Sequence, residues 1–177
     1  MNRNANSTAA ESSAVDSAPP DAAVRPVIIE LFTSQGCSSC PPADRLLTRL
    51  GSDARFAGRL IPLAYHVDYW NYIGWSDPFS AKRWTDRQYA YARALGLDGV
   101  YTPQIIVNGQ RETVGSNESA IVADIAQAAA EGGANVHATA VFDGERRATV
   151  SVDVTAPEGV DLHNSALVVA LFENGID

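Results

Sequence analysis

The hydrophobic pattern of the chain changes its period several times, and each change predicts an element. An apolar, β-branched run over Val27 to Phe32 is typical of a buried strand. Apolar positions then recur at helical spacing over Pro41 to Leu50, up to Gly51. A second apolar run, Leu60 to Tyr65, contains Pro62, which favours a sheet edge because proline cannot donate a ladder hydrogen bond. This part of the chain is therefore predicted as strand, helix, strand.

A second helix and a hairpin are predicted further along the chain. Asp77 is expected as the N-cap of the second helix, with Pro78 at its first position. Gln104 to Val107 is predicted as the third strand, and the Asn108-Gly109 turn joins it to Arg111 to Val114. A third helix follows. The order is thus βαβ followed by ββα, which indicates an α/β fold around a central mixed sheet.

The hydrophobic period becomes two after this unit, which is typical of strands. Val136 to Phe142 and Ala148 to Val154 are predicted to form a hairpin, and Ala166 to Phe172 a further strand. Asn174-Gly175 is another hairpin signal, so we expect the natural protein to continue beyond this sequence.

Three regions follow from these patterns. Residues 1–24 are polar and read as a disordered tail, residues 25–133 as the α/β domain, and residues 134–177 as a β-strand extension truncated at its C-terminus. The tail has neither the basic start nor the apolar core of a secretory signal. We therefore expect a periplasmic or secreted protein if an export signal precedes this sequence, and a cytoplasmic protein otherwise.

Charge narrows the classes of partner. The formal net charge is −8 and the pI is about 4.8, whereas nucleic acid or an anionic membrane would require a basic face. No apolar run approaches the length of a membrane span. We therefore expect that the protein does not bind nucleic acid and that this sequence contains no transmembrane segment.

The two cysteines of the chain, Cys37 and Cys40, lie where the first strand passes to the first helix. A helix N-terminus lowers the pKa of a thiol, so Cys37 is expected to attack a disulfide and Cys40 to resolve the product. Pro41 and Pro42 place the regular start of the helix near Cys40, with Ser39 as cap, which weakens this effect at Cys37. An inert pair is the alternative. Four-thiolate zinc is excluded because there is no second pair.

Three polar residues are candidates for the surroundings of the dithiol. Glu30 interrupts the first strand, and it either exchanges a proton with Cys40 or turns to solvent. His66 and Asp68 follow the second strand, whose end should face Cys37. They either tune the thiol or tie down the next loop by hydrogen bonds.

That loop, Trp70 to Trp75, is rich in aromatic residues. Exposed, it would be a recognition surface; packed, it would be a satellite core, which we expect.

Three long motifs resemble a bacterial thioredoxin-like family of unknown function, domain of unknown function family 1223. They are LFTSQGCSSCPPAD, YHVDYWNYIGWSDPF and VYTPQIIVNG. The resemblance implies a thioredoxin-like fold and spans about Val27 to Glu131 and the β extension.

Further roles come from the resemblance to thioredoxins. It implies Cys37 as nucleophile, Cys40 as resolving thiol, and Pro103 as a cis-proline beside the dithiol. It also implies that the backbone of Thr102 pairs with an extended substrate. The chain departs from thioredoxins at Gly36, where they have tryptophan, and at Ser-Ser between the cysteines, so potential and substrate do not transfer.

The leading functional hypothesis is a thiol-disulfide oxidoreductase that needs an external redox partner and no bound organic cofactor. Its substrate would be a protein or small-molecule thiol or disulfide. A second hypothesis is a copper or zinc module using Cys37, Cys40 and His66. A third is an exported binding module in which the cysteines form a structural bridge.

Overall fold

The structure is a computed structural model that describes residues 25–143, 147–160, 162–163 and 165–170. The described chain divides into two compact units at the step from Glu131 to Gly132. Each unit is described by itself.

The first unit contains four strands and three helices. In chain order they are β1 (Val27–Thr33), α1 (Pro41–Ser52), β2 (Leu60–His66), α2 (Lys82–Leu95), β3 (Gln104–Val107), β4 (Arg111–Val114) and α3 (Glu118–Ala130). The predicted βαβ and ββα order is confirmed.

One mixed sheet holds these strands in the order β2-β1-β3-β4. β1 runs parallel to β2 and antiparallel to β3, and β3 runs antiparallel to β4. The fold is mixed α/β and consistent with a thioredoxin-like arrangement. Pro62 lies on the edge strand, as its missing N–H predicted. The turn between β3 and β4 has positive φ at Asn108 (47°) and Gly109 (69°), which explains the Asn-Gly signal.

The core lies on both faces of the sheet, because neighbouring residues of β1 point in opposite directions. Leu31 packs with residues of α1 and α3, among them Ala43 and Ile121. Phe32 packs on the other face with Tyr65, and Trp84 of α2 lies against that cluster. Side chains on the α1 side and the α2 side therefore belong to separate environments.

Two helix starts differ from the sequence prediction. Cys40 itself is the N-cap of α1, in place of Ser39, and the two prolines occupy the first two positions. α1 also passes Gly51 and ends at Ser52. α2 begins at Lys82 with Ala81 as N-cap, so the prediction that Asp77 caps it was wrong. Asp77 accepts hydrogen bonds from other parts of the chain, which are described below.

The second unit contains an antiparallel pair, β5 (Asn135–Asp143) and β6 (Arg147–Thr155), which confirms the predicted hairpin strands. The strand predicted over Ala166 to Phe172 is wrong for residues 166–170, which have no regular secondary structure. An apolar run forms a stable strand only when a neighbouring strand supplies ladder hydrogen bonds, and residues 166–170 pair with no strand among the described residues. The Asn174-Gly175 turn lies outside the described residues.

None of the helices in the described ranges combines the length and apolarity needed to cross a bilayer.

Candidate functional site at the cysteine pair

The cysteines form a disulfide between β1 and α1, with a sulfur–sulfur distance of 2.11 Å. The backbone reaches α1 through two tight turns, in which Cys37 N–H donates to the Ser34 carbonyl and Cys40 N–H to the Cys37 carbonyl. Cys37 is only 2% exposed and Cys40 is fully buried. The pair therefore sits at the strand-to-helix junction, with the first cysteine one turn ahead of the helix.

The loop that carries Cys37 is fixed by residues from the aromatic loop. Gln35 donates its backbone N–H to Asp77 Oδ2 at 2.8 Å. A Cβ added at Gly36 would lie 3.2 Å from Trp70 Cβ and 3.1 Å from Ile73 Cδ1. Glycine thus permits close packing of the aromatic loop on the cysteine loop.

His66 lies at the end of β2, opposite Thr33 in the sheet register. Its Nδ1 is 2.7 Å from Asp77 Oδ2, and its ring meets the edge of Phe79 at 5.5 Å between centroids. Burial alone would raise the pKa of Asp77. Hydrogen bonds from Gln35 N–H, His66 and Phe79 N–H outweigh burial and hold that pKa below its ordinary value. Asp77 is therefore an ionised, almost fully buried carboxylate.

Asp44 is a carboxylate near the cysteines that the sequence analysis did not single out. It accepts the Thr33 hydroxyl at 2.8 Å, and its N–H donates to the Cys40 carbonyl at 3.1 Å. Burial raises the pKa of Asp44, although the Thr33 hydroxyl and the nearby His66 act in the opposite direction. The available signal was its spacing, because residues four apart share one face of a helix.

Pro103 lies near the start of α1. The Thr102–Pro103 peptide bond is cis, as the resemblance implied. Gly115 is wedged beside it: a Cβ there would lie 2.9 Å from Pro103 Cβ and 3.1 Å from Ala43 Cβ. Trp70 Nε1 donates to the Thr102 hydroxyl at 2.8 Å. The structure therefore brings Thr102 and Pro103 to the same end of the sheet as the cysteines.

Asp68 is directed elsewhere. Its carboxylate accepts the Thr85 hydroxyl of α2 at 2.6 Å, and its N–H donates back to that oxygen at 3.1 Å. These bonds hold Asp68 to α2 and not to the aromatic loop, so they do not test whether Asp68 tunes the thiol or ties down that loop.

Glu30 is buried on the α2 face of the sheet, so the solvent-facing interpretation was wrong. It forms an ion pair with Arg87 at 2.6 Å and accepts the Tyr91 hydroxyl. Its neighbour Leu31 occupies the opposite face, where α1 packs. The described contacts of Glu30 therefore give no support to proton exchange with Cys40.

The aromatic loop is only partly packed. Trp70 is half-buried, whereas Tyr72 is 80% and Trp75 57% exposed, so the expectation of a satellite core was wrong for these two. The three segments around the dithiol, residues 33–42, 69–80 and 99–103, contain one acidic or basic side chain, the buried Asp77. These three segments thus present exposed aromatic side chains and no exposed charge.

The proposed metal set is not assembled here. Within the part of the chain that the structure describes, no three His, Cys, Asp or Glu side chains are arranged to hold a metal ion. Cys37, Cys40 and His66 therefore do not form a ready site while the disulfide is closed.

Fold and site together define a mixed α/β protein with a Cys-x-x-Cys disulfide at a strand-to-helix junction. The chain belongs to the family described as Protein of unknown function (DUF1223), whose profile matches residues 28–177. The chain is also similar to protein AGR_C_4864 from Agrobacterium tumefaciens, a structural genomics target with a crystal structure. The identity is 47% and the TM-score 0.59, over 67% of this chain and 52% of that chain. The match therefore spans about half the length of that protein. No curated protein matches.

Proposed function

We propose that the protein is a thiol-disulfide oxidoreductase of the thioredoxin-like superfamily, with Cys37 and Cys40 as its redox pair. The observation that carries the proposal is the Cys37–Cys40 disulfide at the start of α1, with the cis-proline Pro103 near Ala43 in the first turn of that helix. Two sulfurs one helical turn apart can alternate between disulfide and dithiol without moving the fold.

The reduced pair would act in two exchange steps. The Cys37 thiolate attacks one sulfur of a substrate disulfide, which forms a mixed disulfide and releases the first substrate thiolate. The Cys40 thiolate then attacks Cys37, which closes the Cys37–Cys40 bond and releases the second thiolate. Two electrons pass to the substrate, and an external dithiol would restore the pair. Run backwards, the same steps oxidise a substrate dithiol.

The surroundings of the dithiol favour a polypeptide as substrate. Glutathione disulfide carries several carboxylates, and no basic side chain lies in the three neighbouring segments to bind them. Exposed Tyr72 and Trp75 would instead contact apolar residues that flank a disulfide. Thr102 would supply backbone hydrogen bonds to an extended peptide, as in thioredoxins.

The test compares the wild type with Cys37→Ser in the reduction of insulin by dithiothreitol. We expect catalysis by the wild type and none by the variant. Full activity in Cys37→Ser would remove the proposal.

Burial of both sulfurs favours a second candidate, a binding module with a structural bridge. A structural bridge has a strongly reducing potential and resists mild reductants. Equilibration with glutathione buffers, followed by alkylation and mass spectrometry, separates the two candidates. Elemental analysis of the reduced protein tests the copper or zinc alternative, because a bound metal should be lost in His66→Ala.

A further inference from the structure

Asp77 is connected to two parts of the candidate site through one oxygen atom. Oδ2 accepts the Gln35 backbone N–H at 2.8 Å and lies 2.7 Å from His66 Nδ1. The other oxygen, Oδ1, accepts Phe79 N–H at 2.9 Å. Asp77 does not cap α2, although its sequence pattern with Pro78 predicts this, because the N-cap of that helix is Ala81.

We propose that Asp77 is a positioning residue for thiol exchange, which fixes the His66 imidazole in one tautomer and holds the cysteine loop beside it. This inference rests on the proposed function. An ionised carboxylate only accepts hydrogen bonds, so the proton of a neutral His66 must lie on Nδ1. Nε2 is then left unprotonated and can accept a proton.

The chemical step follows from that tautomer. Nε2 takes the proton of the Cys37 thiol, which gives a thiolate and an imidazolium paired with Asp77. The thiolate attacks the substrate disulfide, and the imidazolium returns the proton to the departing thiolate. The Cys40 thiol then attacks Cys37, and its proton passes to the second departing thiolate. The substrate disulfide thus gains the two electrons and two protons of the dithiol.

The other groups around His66 are compatible with this role. Asp44 of α1 lies within electrostatic reach, Thr33 of β1 pairs beside it, and Phe79 packs on its ring. The Thr33 hydroxyl is already donated to Asp44. Asp77 is therefore the group that hydrogen-bonds His66, and Asp44 contributes through its charge.

The cysteine loop is hydrogen-bonded to the same carboxylate, Asp77. Gln35 lies two residues before Cys37, so a bond at its N–H restricts where the turn can place the sulfur. Since Oδ2 serves both partners, loss of the carboxylate would disturb the imidazole and the loop together. An aspartate that anchored only the cysteine loop would affect stability without changing the tautomer of His66.

The experiment measures imidazole nitrogen shifts by NMR in the wild type, Asp77→Asn and the control Asp53→Asn. The signals of His66 are identified among those of the three histidines by their loss in His66→Gln. Asp53 is a fair control because it accepts Arg55 N–H in a similar turn at the opposite end of α1. We expect the Nδ1–H tautomer of His66 in the wild type and the control, and a shift towards Nε2–H in Asp77→Asn, whose amide can donate.

Exchange kinetics complete the test. Asp77→Asn should lower the rate of substrate reduction by about 10²-fold or more, the scale of a lost general base. The double variant with His66→Gln should lose less than the two single losses combined. A wild-type Nε2–H tautomer, or additive rate losses, would overturn the inference, and the wild-type spectrum decides even if Asp77→Asn does not fold. A wild type with the expected tautomer but no exchange activity would instead count against the proposed function.

Discussion

Trp70 donates its indole N–H to the hydroxyl oxygen of Thr102 at 2.8 Å. This bond joins the aromatic loop to the residue before the cis-proline. Trp70 also lies against Gly36, so one side chain contacts both the cysteine loop and the residue before the cis-proline.

Trp70→Phe keeps a ring in place but removes the N–H. We expect a loss of about 0.5–1.5 kcal/mol in the free energy of unfolding, the usual contribution of one hydrogen bond. Thermal unfolding measures it. The control is Trp75→Phe, which also loses an indole bond, to Gln35, but at an exposed position where water can replace it. An equal or larger loss in the control would contradict the assignment.

Gly36→Ala tests the close approach of the aromatic loop. The added Cβ would lie 3.1 Å from Ile73 and 3.2 Å from Trp70, so the loop must shift, at about 1–3 kcal/mol. Urea unfolding measures the change. Gly99→Ala is the matched control, because a Cβ there meets nothing within 4 Å. If the two variants are equally stable, the loops are not in contact.

Glu30→Gln separates a structural role from a catalytic one. It leaves the half-buried Arg87 without its anion, and we expect a loss of about 1–3 kcal/mol in the free energy of unfolding. The pH profile of thiol exchange should not change, because Glu30 faces α2. A shifted profile would restore the hypothesis that Glu30 exchanges a proton with Cys40.

Asp44→Asn should stabilise the protein at neutral pH. The pKa of Asp44 is raised on folding, so the folded state binds a proton more tightly than the unfolded state. Folding therefore loses stability as pH rises through the raised pKa, and the amide avoids this loss while still accepting from Thr33.

The gain in the free energy of unfolding of Asp44→Asn should be present at pH 7 and absent below pH 3.8, the ordinary pKa of an aspartate. Urea unfolding at several pH values measures it. The control, Asp86→Asn, removes an exposed carboxylate paired with Lys82 and should change stability little. A neutral-pH loss in Asp44→Asn would show that the charged form is favoured on folding.

Local signals predicted the element order of the first unit. Pro62 indicated an edge strand, and Asn108-Gly109 indicated the β3–β4 turn, because each depends on the backbone chemistry of one or two residues. The cysteine spacing likewise located the disulfide at the start of α1.

The polar part of the site required the tertiary structure. Asp77 followed by Pro78 has the pattern of a helix start, but its carboxylate is used by Gln35 and His66, which are distant in sequence. Glu30 was expected near the cysteines because it lies close to them along the chain. The alternation of β1 places it on the other face.

The central claim is that Cys37 attacks a substrate disulfide and Cys40 resolves the product. It is tested most directly by trapping: reduced Cys40→Ser and Cys37→Ser proteins are mixed with a disulfide-bonded peptide and analysed by intact mass. We expect a stable mixed disulfide in Cys40→Ser, and little or none in Cys37→Ser. Equal trapping in both variants, or none in either, would contradict the account.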